Sequence, residues 1–284
     1  MTRVQPRIGV RQHAFLWPQP GEVDRMNEMK RDPSKKNVLW DFPDLAYSEA
    51  ESHTFRLVER ERQCAAIFVA GLRTFHEVWE YGNYFLGEYI ATALVKPESG
   101  LPAALLVDAY EALRASLLVA QMGYQAHGMA LVRKSHESFI RAAACRQHPH
   151  KALNIVRSPS LQRAEHDLGL NLKHLYDVGG FTHSNHLRSG RTVVAILEGR
   201  EPPRIYGPTP DAELMRVLPP LITFWLHFGI SMAPFLIPAV PEQDKWLARQ
   251  ADSKGLLLGY LRDGENRLAE DCLLVQDLCV RLGV

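Results

Sequence analysis

The sequence predicts an all-α protein: an antiparallel bundle of five to seven helices with an extended N-terminal arm. Three observations predict it. Apolar residues recur at three- and four-residue steps over long stretches, which is the period of one helix face and not of a strand. Helix-start signals precede those stretches, and glycine or proline closes them. No linker, internal repeat or low-complexity tract divides the chain, so residues 45–284 read as a single helical-bundle domain behind an irregular arm, residues 1–44.

In the arm, Pro6, Pro18, Pro20, Pro33 and Pro43 interrupt any period, and "KRDPSKK" reads as a solvated loop. Phe15, Leu16, Trp17, Leu39, Trp40 and Phe42 are too apolar for a free tail and are expected to dock on the main body. "SEAE", Ser48–Glu51, is a capping box that predicts the first helix. Its apolar stripe is read as Phe55, Val58, Ala65, Val69, Leu72, Trp79, Leu86, Ile90 and Ala93, with Arg62, His76 and Asn83 in the same row. Run without interruption to Val95 the helix would be roughly 70 Å long. That is too long for a compact domain, so Gly82 or Gly87 is expected to break or bend it.

Ser99 and Pro102 open a second helix, apolar nearly all round and therefore expected at the centre, and Gly123 ends it. A third runs from about Gln125 to Gln147, with Pro149 beyond it. Pro159 and Ser160 open a fourth, expected to reach about Phe181. Residues 187–210 are a loop in which "TVVAIL" forms a short strand or a helical turn. Thr209 and Pro210 open a fifth helix through Ile237, and the tail holds one or two more, ending in "LAEDCLLVQDLCVRL".

Composition narrows the function classes. A formal net charge of +1 over 284 residues supplies no bulk field for nucleic acid or anionic lipid. Cys64, Cys145, Cys272 and Cys279 form no C-x-x-C pair, so they read as reduced thiols of a cytoplasmic protein. The N-terminus carries no apolar run of the signal-peptide kind. Val217–Val240 is uncharged and long enough to span a bilayer. Yet it carries Pro219, Pro220, Pro234, Pro238, His227 and Ser231, so it is read as a buried core helix and no membrane partner is expected.

The polar residues of the third and fourth helices are the candidate site. At 100° per residue Val132, His136, Phe139 and Ala143 share one face, and Arg133, Glu137 and Arg141 form a charge ladder on its flank. The ladder is read either as a surface feature beside a core histidine bonded to a carbonyl, or as a partly buried Arg133–Glu137 pair that shapes a polar pocket. In the fourth helix Leu161, Leu168, Leu172 and Leu175 make the stripe and Tyr176 sits beside it. His183 returns to that face if the helix continues through Gly179 and Gly180. Tyr176 and His183 then either seal the bundle end by hydrogen bonding, or face Arg133 and Glu137 to gather a base, a phenol, a cation and a carboxylate, the members of an acid–base constellation.

"SLLVAQMGYQAHGMALVRKSHESFIRAA", followed about forty residues later by "YDVGGFTH", resembles a family of uncharacterised bacterial helical proteins. That family shows a glycine between two helices, then Arg-x-x-x-Glu, then Tyr-x-x-x-Ser-x-x-His. The matching positions are Gly123, Arg133, Glu137, Tyr176 and His183, and Gly180 stands where the family has serine. The resemblance covers about residues 105–190, with a helix over 211–237, and implies a helical fold with hardly any chemistry. "RAAACRQH", Arg141 to His148, resembles the Arg…His spacing of HEPN-type helical ribonucleases, with Ala142 where that family has a polar residue.

His148-Pro149-His150, Glu165-His166 and His183-x-x-His186 are metal-ligand types without a metal-site spacing, so no metal is expected, and no cofactor. The chain has no Walker loop, no G-x-G-x-x-G after a strand and no G-x-S-x-G elbow. The function expected is a non-catalytic binding or regulatory module whose partner is another protein or a second copy. The alternative is a metal-independent HEPN-type ribonuclease acting through Arg141 and His148, the only reading that brings RNA as a partner.

Overall fold

The computed structural model describes residues 44–93, 100–158, 160–170, 172, 212–238 and 243–284, with side chains from Leu57 onward. Every regular element among them is helical, as predicted. In chain order they are α1 (Asp44–Gly71), α2 (Arg73–Ala93), α3 (Gly100–Gln121), α4 (Gln125–Gln147), a 3₁₀ turn (Pro149–Lys151), α5 (Ala152–Arg157), α6 (Gln162–Asp167), α7 (Ala212–Leu236), α8 (Gln243–Asp263) and α9 (Leu268–Leu282). A compact unit spans Ser52–Val284. The expected arm falls outside the described residues, apart from Asp44, which already belongs to α1. Helix α1 therefore starts before Ser48, which is an interior position and not a cap.

The long first helix is divided at Leu72, ten residues before the nearer of the breaks expected at Gly82 or Gly87. The division moves the buried face. Cys64 and Phe68 are buried ahead of it, then Phe75, Trp79, Leu86 and Ile90, whereas Val58 and Val69 of the expected stripe are exposed. Gly82 sits inside α2 because α7 approaches there: a Cβ would lie 2.8 Å from the Leu226 side chain. The two glycines are thus points of close packing and not breaks.

Helices α3 and α4 form the most extensive pair in the molecule. Gly123, with φ +92°, turns one into the other. Gly128 then lets the backbones close, since a Cβ there would meet the Ser116 carbonyl oxygen at 2.9 Å. Polar bonds fix the register: the Ser135 hydroxyl donates to the Ala109 carbonyl (2.8 Å), and Asp108 receives Ser138 (2.7 Å) and Lys134 (2.7 Å). Burial works against the Asp108 carboxylate, but these hydrogen bonds outweigh it and hold its pKa below the ordinary value. Helix α3 is not the central helix, for Leu118 is exposed.

That position belongs to α7. Every residue from Leu221 to Pro234 is buried, and α2, α3, α4, α8 and α9 all pack against it. The Met215–Leu236 stretch is long and apolar enough to cross a membrane, yet 89% of its apolar window is buried inside the bundle. Of its internal prolines Pro219, Pro220 and Pro234, the last is accommodated by neighbours. Pro234 has no N–H for the Ile230 carbonyl, and the Gln250 amide of α8 donates there instead (2.7 Å). The Cys279 thiol of α9 lies 3.5 Å from the Ser231 carbonyl, and the Arg146 guanidinium of α4 donates to the Phe235 carbonyl (3.1 Å).

The expected fourth helix is the largest departure. Helix α6 stops at Asp167, and Gly169 adopts φ +68°, a conformation that ends a helix. Arg281 of α9 locks this end by donating to the Leu168 carbonyl (3.0 Å). Leu161, Leu168 and Leu172 are buried, but so is Leu170, which a continuous helix would place elsewhere.

Candidate functional site

Helix α4 presents the candidate residues. His136 and Phe139 point into the core and Arg133, Glu137 and Arg141 run along the flank, as the helical spacing predicts. Glu137 bridges both arginines: Arg133 Nε lies 3.2 Å from Oε1 and Arg141 Nη1 lies 3.2 Å from Oε2. The ladder is partly buried, with Arg141 the least exposed member at 18%. Arg141 also donates to the Ser158 carbonyl (3.2 Å), tying α4 to the segment that leads into α6.

Tyr176 and His183 lie outside the described residues; of the expected cluster, Arg133 and Glu137 are described, and they are paired. Arg141 and His148 are placed differently. Arg141 is engaged by Glu137 and Ser158, while His148 caps the C-terminal end of α4 beside His150 (ring centroids 6.3 Å apart).

What the sequence reading missed is the partner of His136. Its Nε2 lies 2.9 Å from Oε1 of Glu165 on α6, and both side chains are buried. The imidazole stacks on the Trp225 indole of α7, centroids 4.3 Å apart and planes 18° from parallel. Phe139 and Phe228 also pack against that indole. The sequence groups Glu165 with His166 as adjacent metal-ligand types, yet His166 is 91% exposed and Glu165 is core. Three helices thus meet at one hydrogen-bonded, stacked triad. A histidine–carboxylate pair can orient an imidazole for proton transfer, but a catalytic pair must reach substrate. This one is sealed under α6 and α7 and acts as a fastener. No group of three or more metal-ligand side chains is gathered among the described residues.

Other titratable groups are set by burial. His76 is held below its usual pKa by burial, partly countered by Glu80. His227, fully buried on α7, is pushed down to about 3, chiefly by burial and secondarily by Lys254. Below the ordinary histidine value of 6.5 the unfolded chain binds a proton at this position that the folded chain refuses until about pH 3. Stability should therefore fall as pH drops through that window, with His227 costing about 1 kcal/mol by pH 5.5. Urea titrations at pH 5.5 and 7.5 check this. His227→Leu should remove that share of the pH dependence, and an unchanged dependence would refute the assignment.

The fold and the triad define an all-α bundle with a buried histidine–glutamate–tryptophan junction. No family model matches the chain, and comparisons with curated proteins and with solved structures likewise find no match.

Proposed function

We propose that the chain is a non-catalytic helical module of the cytoplasm that binds a partner protein or a second copy of itself, or regulates one. The reading rests on how α4 uses its titratable side chains. His136 is bonded to Glu165, and Glu137 is shared by Arg133 and Arg141, so the groups an acid–base site would need are engaged in holding helices together. Tyr81 and Tyr84, one turn apart on α2, are exposed and are the kind of amphipathic aromatic that protein interfaces favour. Under the ribonuclease alternative Arg141 would have to face a scissile phosphate, but its guanidinium is committed to a carboxylate and a carbonyl.

The test is direct. Purified protein incubated with labelled single-stranded RNA should leave it intact, and Arg141→Ala and His148→Ala should behave as wild type. Robust cleavage lost in His148→Ala would overturn the reading in favour of the ribonuclease. Sedimentation equilibrium on the same preparation separates self-association from the need for another protein.

A further inference from the structure

Helix α5 and the 3₁₀ turn before it carry an apolar side chain that the core does not use. Ile155 packs inward on the core, but Leu153 is 66% exposed, more than any other leucine among the described residues. His150, Asn154 and Arg157 recur with Leu153 at three- and four-residue steps and are exposed as well. Lys151, and Arg146 at the end of α4, are exposed and flank them in the chain. The whole chain nearly balances its charges, with 33 Lys and Arg against 32 Asp and Glu, so a patch of one sign has to be built locally. This is such a patch: Ser138 to Ala164 holds Arg141, Arg146, Lys151, Arg157 and Arg163 and no carboxylate side chain. The acids that bound the stretch are engaged, Glu137 by two arginines and Glu165 by His136. Asp167, the next along, lies 3.8 Å from the His166 ring. Arg146, Lys151 and Arg157 have no ion-pair partner among the described residues.

We propose that this patch docks on an anionic lipid surface, with Leu153 entering the headgroup boundary and Arg146, Lys151 and Arg157 facing the lipid charges. The occupant follows from the pairing of two chemistries on one face. Cations gain from the negative potential of an anionic bilayer, and an apolar side chain gains by leaving water at the boundary of headgroups and acyl chains. A nucleic-acid backbone answers the cations and gives Leu153 nothing. An acidic protein segment calls for a groove to seat it, whereas Leu153 stands out from the surface. A fluid lipid surface needs no matching shape. The contact is peripheral, since α7, the one described helix long and apolar enough to span a bilayer, is taken up by the core. The inference goes beyond the proposed function and does not rest on it.

The experiment mixes the full chain with phosphatidylcholine vesicles, with and without phosphatidylserine, and measures the bound fraction by co-sedimentation. Binding is expected with phosphatidylserine only, and it should fall as salt is added. Lys151→Gln and Arg157→Gln change exposed side chains and leave the core intact, and each should weaken binding about fivefold. Leu153→Ser should weaken it about tenfold and leave the salt dependence as it is. A wild-type chain that stays in solution beside phosphatidylserine vesicles at low salt overturns the proposal. So does vesicle binding that the double variant Lys151→Gln, Arg157→Gln retains in full. Vesicle binding indifferent to Leu153→Ser overturns it too, because the patch is then a general polyanion surface, and labelled RNA bound with the same indifference would assign it to nucleic acid. Failure here leaves the protein-partner reading standing, since that reading is tested by sedimentation equilibrium without lipid.

Discussion

Glu165→Ala should lower the unfolding free energy by about 3 kcal/mol, among the largest effects of any single polar substitution in this chain. The carboxylate is buried with His136 Nε2 at 2.9 Å, and the imidazole is itself pressed flat on Trp225. Removing the carboxylate strands a buried ring nitrogen and leaves a cavity between α4 and α6. Glu165→Gln keeps an acceptor at the same place and should cost about 1 kcal/mol. Urea denaturation of the three proteins at neutral pH measures both values. If Glu165→Ala unfolds within about 0.5 kcal/mol of wild type, the pair is not a fastener, and a functional use of the buried dyad gains weight.

Trp225→Ala should cost about 4 kcal/mol. The indole is almost wholly buried and contacts His136 and Phe139 of α4, with Phe224 and Phe228 from its own helix around it. No neighbour can fill that volume without moving α7. A double-mutant cycle with His136→Ala tests the stack itself. The two losses should fall short of additivity by about 1 kcal/mol, because either substitution alone abolishes the ring contact. Strict additivity would mean that imidazole and indole are merely adjacent.

Much of the fold was legible because helical spacing is local. The α4 boundaries, its buried face through Val132, His136, Phe139 and Ala143, and the burial of α7 all follow from residue order alone. The errors arose where tertiary contacts override local pattern. Gly82 and Gly87 look like helix breakers, but they are the positions where Leu226 and the Tyr110 hydroxyl come closest. Gly169 looks like one more helical residue, but it adopts a left-handed turn that Arg281, more than a hundred positions later, ties down.

The site was half legible for the same reason. His136 on an apolar face announced a need for a partner, but the spacing could not say which residue supplies it. One signal was present. Leu161, Glu165 and Leu168 stand at i, i+4 and i+7, so Glu165 interrupts an apolar stripe, and a carboxylate in that position asks for a bonded counterpart. The Arg133–Glu137 pair followed directly from i, i+4 spacing.

The central place of α7 has a consequence for how the chain is made. Roughly 65 residues separate Gln147, the end of α4, from Ala212, the start of α7. At a synthesis rate of about 5–20 residues per second, the apolar faces of α2, α3 and α4 wait about 3–13 s for the helix that covers them. During that interval the α3–α4 hairpin, with its close backbones and its own Asp108–Lys134 bond, is the one extensive tertiary pair already complete among the described residues. Trp225, Phe228 and the stacking of His136 arrive afterwards, so the packing of α4 against α7 is completed only once α7 has emerged.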